Sequence, residues 1–435
     1  MFSQLFGEFL TEKNVITRET LEEVLQQQSS TRVKLGTIAV AAGYLTEAQA
    51  EEINYLQTQQ DKRFGDIALD KGYLTMAQLS ELLDQQGNAF MKFLQILTEK
   101  NCIVLTELDN YLTEFQKSEG FSDAEMQALK KDDIDGIVPL FAFSAKPFVT
   151  ELTALVLRNI TRFVSSDFYI GRIHRVNDYE YHCLAGQKIT GDHQIYVAFA
   201  GTDSTDGILR LASGYAKENF TQINSHVFDA IGEFTNICSG LLATNLSEKD
   251  IDIDMEAPFA YVDQKMTGKG YIVPVHLCGR ELELFISVDE EITLGEKPYE
   301  MKIEKKAGSA VTADSKGTIV IVDDSALIRR TLRDLVESAG YTVVAEGTNG
   351  EEGLEAYEEY KPDLITLDIT MPVMDGVEAL EKIMAADPEA KVIMITAAGQ
   401  QQKVIKALRV GAAKFIMKPF NRDEVLNALQ EIIKH

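Results

Sequence analysis

The sequence has no tryptophan, nine prolines and four cysteines in 435 residues. Cys102, Cys183, Cys238 and Cys278 lie far apart and form no CxxC pair. Neither a disulfide framework nor a thiolate metal site is expected, and the thiols read as buried residues of a reducing compartment. The histidines His174, His182, His193, His226 and His276 show no ligand spacing, so none is assigned to chemistry. No apolar run approaches the ~20 residues of a membrane-spanning helix, and the start MFSQLFGEFLTEKN has neither the basic region nor the apolar core of a secretory leader. Basic charge is scarce: 42 Lys and Arg against 68 Asp and Glu leave a net charge of −26. That balance argues against a partner bound through nucleic-acid phosphates. A cytoplasmic protein without membrane insertion or nucleic-acid binding is expected.

The chain is too long for a single core, and three textures divide it. At the N-terminus Gly7, Gly36 and Gly65 recur with a period of 29 residues, as do Gln28, Gln57 and Gln86. Each copy reads as a short helix, a turn at Asn14, Gly43 or Gly72, and a second helix begun by Thr17, Thr46 or Thr75 as N-cap. Such pairs must stack to bury their apolar faces. Helical repeats are expected over 1–90, with a degenerate fourth copy in a helical connector over 91–144, where LTEKN of 10–14 returns at 97–101. The repeats resemble the N-terminal domain of type II secretion and pilus assembly ATPases, whose units open on Arg-Leu-Gly and close on Gln. Here Lys34-Leu35-Gly36 runs to Gln57 and Arg63-Phe64-Gly65 to Gln86, with Lys34 departing from the family's Arg. Because some members bind cyclic di-GMP, the resemblance implies Arg63, Gln86, Lys34 and Gln57 as nucleotide-contacting residues. A plain interaction module is the other reading.

From Gly317 to His435, short buried-type strands alternate with amphipathic helices: TIVIVDD, YTVVAEG, PDLITLD, KVIMITA and AKFIMKP. This alternation predicts a parallel, doubly wound α/β sheet with chemistry at the C-terminal strand ends. Asp323, Asp324, Asp368, Thr396 and Lys418 fall at those ends. Converging carboxylates call for a cation, and an oxygen-only set suits Mg²⁺. Lys418 and Thr396 can contact phosphoryl oxygens, and Asp368 can serve as nucleophile to become an aspartyl phosphate. The segment is identified as a member of the response regulator receivers of CheY type, which implies a flavodoxin-like five-stranded sheet of order 2-1-3-4-5 and a histidine kinase as phosphodonor. It also implies Phe415 as the switch aromatic, a cis Lys418–Pro419 bond, and the backbone carbonyl of Thr370 as a metal ligand beside Asp323, Asp324 and Asp368. No further output domain is expected after the last helix.

Residues 145–292 have the pattern of an α+β layer, and 293–316 that of a charged linker. Expected elements are a helix FVTELTALVLRNITRFV, period-two strands such as FYIGRIHRV, YEYHCLAG and HQIYVAFAG, helices near 204–219 and 222–245, and strands YIVPVHLCG and ELELFISV. In the second helix, DAIGEFTNICSG sets Asp229, Glu233 and Asn236 at i, i+4 and i+7, a polar stripe on an otherwise apolar helix. A solvated face is one reading. The other is phosphoryl chemistry, with Asn236 holding a water and Glu233 pairing with a receiver lysine such as Lys418. With Pro258 downstream, the stripe is similar to the active helix of the CheC, CheX and FliY chemotaxis phosphatases. The family implies Glu233 and Asn236 as catalytic and Asp229 as their support. Only one such helix is present, since Glu151 is followed at 154 by Ala, which resembles CheX and implies a homodimer. The expectation is a phosphorelay protein whose central domain hydrolyses aspartyl phosphate on its own or a separate CheY-like receiver. The alternative is a non-enzymatic, phosphorylation-controlled scaffold.

Overall fold

The structure is a computed structural model describing residues 1–435 except 30–34, 37, 38, 40–42, 87–89, 91, 92, 95, 98, 99, 101, 104, 131, 132, 143, 144, 302–307, 310, 312–314, 398, 399, 434 and 435. Two units divide it: Met1–Arg175 with Tyr271–Glu281, and Val176–Gly270 with Leu282–His435.

In the first unit the repeats supply α1 (Phe2–Glu12), α2 (Arg18–Ser29), α3 (Glu47–Gln59), α4 (Phe64–Asp70) and α5 (Met76–Gln86). Each turn carries a residue at positive φ: Asn14 at 57°, Gly43 at 73° and Gly72 at 68°. Thr46 closes a capping box with Gln49, and the hydroxyls of Thr17 and Thr75 accept from the amides of Thr20 and Gln78. Ala50, Ile53, Phe64, Ile67, Leu74 and Leu82 share one core, so the second repeat packs on the third. The returning LTEKN lies partly outside the described residues. Helices α6 (Leu105–Glu119), α7 (Asp123–Lys130), α8 (Ile134–Phe141) and α9 (Pro147–Asn159) follow, then strand β1 (Phe168–Ile170). The helix expected over 148–164 is present, with π-type hydrogen bonding in its last turn at Ile160–Val164. The strand expected over 168–176 breaks after Ile170, because the Ile173 amide donates to Phe141 O at 2.8 Å and leaves the ladder.

The central sheet contains β1 together with β2 (His174–Gly191), β3 (Ile195–Gly201), β4 (Ile253–Met255), β5 (Phe259–Leu277) and β6 (Arg280–Val288), in the order β1-β5-β6-β3-β2-β4. β3 pairs antiparallel with β2 and β6. β4, which the sequence reading missed, adds three residues along Ile189–Gly191 of β2. Helices α10 (Asp206–Ala216) and α11 (Ser225–Ser247) belong to this layer. Asn224 caps α11, its side chain accepting from Val227 N at 3.1 Å. Phe234 of α11 packs on Phe199 of β3, with ring centroids 5.7 Å apart.

The C-terminal domain alternates β7 (Thr318–Val322), α12 (Ala326–Ser338), β8 (Thr342–Gly347), α13 (Gly350–Tyr360), β9 (Leu364–Asp368), α14 (Gly376–Ala386), β10 (Val392–Thr396), α15 (Gln401–Val410), β11 (Lys414–Met417) and α16 (Arg422–Ile433). The sheet is parallel, ordered β8-β7-β9-β10-β11. Two apolar clusters, one on each face, sandwich its central strands. Strand order reverses beside β7, which places the crevice at the C-terminal ends of β7 and β9.

Candidate functional site

The receiver pocket forms where parallel strands end together. Asp323 and Asp324 follow β7, Asp368 ends β9, Thr396 ends β10 and Lys418 follows β11 across a cis bond to Pro419. Lys418 Nζ lies 2.9 Å from Asp323 Oδ2 and 2.9 Å from Asp368 Oδ1. The Thr370 amide donates to Asp368 Oδ2 at 2.8 Å, and the Ser325 amide to Asp323 Oδ1 at 3.0 Å. Thr396 donates to Gln400 Oε1 at 2.9 Å, and the Gln400 amide donates to the Thr370 hydroxyl. Phe415 sits on β11 and is 40% exposed.

Burying like charges at one point sets the electrostatics. Burial pushes the Asp368 carboxyl up to about 6 against the pull of Lys418. Burial, with Asp323 and Asp368 close by, also holds Asp324 well above the ordinary carboxylate range. Burial disfavours the Lys418 ammonium, but Asp323, Asp368, Glu233 and Asp324 outweigh it and keep its pKa well above the ordinary lysine value.

Helix α11 lies against this pocket. Its Asp229, Glu233 and Asn236 are buried, at 7%, 5% and 7% exposure, so the stripe is not a solvated face. Asp229 Oδ2 accepts from Leu327 N at 2.8 Å. Ser325 caps α12 through Ile328 N at 3.2 Å. Asp229 therefore satisfies a neighbouring orphan amide and sets a carboxylate at the positive end of the receiver helix. Glu233 Oε2 stands 3.7 Å from Lys418 Nζ. Burial pushes Glu233 up to about 8, with Lys418 opposing, and Asp229 up to about 6, with the Leu327 amide opposing. Arg330–Glu218 and Lys403–Asp254, the latter at 3.1 Å, pair further charges across the same two domains. Pro258 presses on the helix beside the stripe. A Cβ at Gly232 would sit 2.9 Å from Pro258 Cβ, so only glycine fits without displacement.

Glu233, Asp323 and Asp324 each bring a carboxylate oxygen within 4.8 Å of the other two. Asp323 Oδ2 is buried and faces the Lys418 ammonium at 2.9 Å. An oxygen-only set of converging carboxylates fits Mg²⁺. This grouping differs from the sequence expectation by bringing Glu233 to the acidic pair, whereas Asp368 is turned to Lys418 and the Thr370 amide.

In the repeats, Arg63 Nη2 pairs with Asp133 and Asp135, both at 2.7 Å. Gln57 donates to Lys62 O at 3.2 Å. Lys34 lies outside the described residues, as does the side chain of Gln86. Three residues escaped the sequence reading. Gln187 Nε2 donates to Asn236 Oδ1 at 3.1 Å and to Glu256 O at 2.8 Å. Arg329, buried on α12, donates to Asp323 O at 2.7 Å and Asp324 O at 3.1 Å and so holds the acidic turn. Gln400 is the third. A signal existed for Gln187: Tyr179, Tyr181, Cys183, Ala185, Gln187 and Ile189 form one buried period-two register, and glutamine is its only amide.

The profile described as the response regulator receiver domain matches residues 319–430, and that of the CheC-like family matches 227–262. The chemotaxis protein CheY of Thermotoga maritima is 49% identical over 116 residues, 27% of this chain and 97% of that protein. CheY of Listeria monocytogenes is 52% identical over 116 residues, 27% of this chain and 98% of its own length. The CheX-CheY-BeF3-Mg²⁺ complex from Borrelia burgdorferi is a solved structure at 39% identity, covering 26% of this chain and 87% of that chain with a TM-score of 0.26. Through its C-terminal domain the chain belongs to the response regulator receivers of CheY type.

Proposed function

We propose that this chain is a chemotaxis-type two-component protein that is phosphorylated on Asp368 by a histidine kinase, and whose own α11 hydrolyses that aspartyl phosphate in cis. The observation carrying this reading is the seat of the stripe. Glu233 is within ion-pair reach of Lys418, the lysine that also pairs with Asp368, and Asp229 accepts from the backbone of α12. The CheC-like match covers this same stripe, and Pro258 lies within it.

Phosphoryl transfer is governed by positioning and charge compensation. Lys418 steadies the phosphoryl oxygens, and Glu233 holds Lys418 from the far side. Asn236 orients a water in line with the P–O bond. As the water oxygen bonds to phosphorus, the bond to Asp368 Oδ breaks and its electron pair returns to the carboxylate; the water proton leaves with inorganic phosphate. Mg²⁺ held by Asp323 and Asp324, with Asp368 and the Thr370 carbonyl, would neutralise charge on the phosphoryl oxygens.

The test is the lifetime of phosphate on Asp368 in the full chain. Asn236→Ala should lengthen it, and an unchanged lifetime would falsify the phosphatase reading. The alternative, a non-enzymatic scaffold, predicts phosphorylation-dependent partner binding that survives Glu233→Ala and Asn236→Ala. For the repeats we propose an interaction module: the Arg63 guanidinium is engaged by two carboxylates, which leaves cyclic di-GMP the weaker reading.

A further inference from the structure

We propose that Gln187, on the central sheet, is a positioning residue that fixes which end of the Asn236 amide faces the receiver; this inference rests on the phosphatase reading above.

The amide orientation is set by an atom whose role is unambiguous. Glu256 O is a backbone carbonyl and can only accept. Its residue is locked in place, because Glu256 N donates to Lys188 O at 3.0 Å, one residue beyond Gln187 on β2. The Gln187 atom facing Glu256 O at 2.8 Å must therefore be the amide nitrogen. That nitrogen's second hydrogen points to Asn236 at 3.1 Å, so the atom receiving it must be Oδ1. The Asn236 carbonyl is thereby held toward the sheet, and its NH₂ is the end left for the phosphoryl side. A backbone carbonyl thus selects the orientation of the Asn236 amide through one glutamine with no solvent exposure.

The chemistry follows. With Oδ1 committed, Asn236 engages the attacking water as a donor to one oxygen lone pair and leaves another to meet phosphorus. A freely flipping amide would present the wrong end part of the time, and water held by accepting its hydrogen would be aimed differently. Gln187 touches neither phosphate nor water. Its effect runs entirely through Asn236.

The experiment is a double-mutant cycle on the full chain, reading the decay of Asp368 phosphate after loading with a small-molecule phosphodonor. Gln187→Leu removes both hydrogen bonds at similar volume, and Gln187→Met guards against a variant that fails to fold. Either should slow decay roughly tenfold, the loss of one positioned hydrogen bond. In the Asn236→Ala background the same substitution should change nothing further. Selective labelling of asparagine supplies a spectroscopic readout: the Asn236 side-chain NH₂ resonances shift in Gln187→Leu while the melting transition stays cooperative. Decay at the wild-type rate in a folded Gln187 variant would overturn the proposal, as would a further slowing in the Asn236→Ala background. If Asn236→Ala itself leaves decay unchanged, the phosphatase reading fails instead, and the two failures are told apart.

Discussion

The receiver pocket and the Arg63 corner of the repeats were both picked out by motif, and the structure treats them oppositely. In the receiver, five polar residues from four separate places in the sequence converge on one buried point, with Lys418 2.9 Å from two carboxylates. Around Arg63 the charge is already neutralised: two aspartates hold it at 2.7 Å. Nearby, Asp61 is buried beneath Arg158 and Arg162, with Arg158 Nε at 2.9 Å and Arg162 Nη1 at 3.2 Å. A motif becomes a site where the fold leaves charges in surplus at one place. The pocket has an excess of carboxylates, with Asp323, Asp324, Asp368 and Glu233 around one lysine; the Arg63 corner is balanced.

Substitutions can break that contrast. Asp368→Asn should have the largest effect and abolish acid-labile phosphate, measured by incorporation from a labelled phosphodonor. Next, Gly232→Ala drives a Cβ to 2.9 Å from Pro258 Cβ. Overpacking of this kind costs about 1–3 kcal/mol, so thermal unfolding should move down and Asp368 phosphate should last longer. Smaller is the pH effect at Asp229. Burial raises its pKa from 3.8 to about 6 in the seated state, where Asp323 and Arg329 also act on it. A raised carboxyl contributes stability that is complete below 3.8 and is lost as pH rises through about 6. Seating of α11 should weaken across that window, and Asp229→Asn should flatten the dependence; hydrogen exchange at the Leu327 amide reports both. Smallest of all, Arg63→Ala should cost only ~0–1 kcal/mol, since its pairs are exposed, and should alter no ligand affinity measured by calorimetry with cyclic di-GMP.

Legibility in the sequence followed the range of the determinant. Buried parallel strands announce themselves as continuous apolar runs, and their ends carry the chemistry, so Asp368 and Lys418 could be read directly. The Asp229, Glu233 and Asn236 stripe was readable because helical spacing is local. What seats the stripe was not. Asp229 bonds an amide 98 residues away, and no spacing rule reaches that far. Arg329 falls on an amphipathic helix, where local spacing alone gives no reason to bury it. Its burial depends on Glu346, whose Oε2 lies 3.1 Å from Nε, and on the carbonyls of Asp323 and Asp324. The interruption after Ile170 likewise comes from a distant partner, Phe141 O, and not from the local alternation of residues.

The most direct test of α11 acting on its own receiver is the decay of phosphate on Asp368, followed across a wide range of chain concentrations with Asn236 intact and with Asn236→Ala. Action in cis predicts a first-order rate that does not depend on concentration and that falls on the order of 10- to 100-fold when Asn236 is removed. A rate that climbs with chain concentration, or one that ignores Asn236, would contradict it.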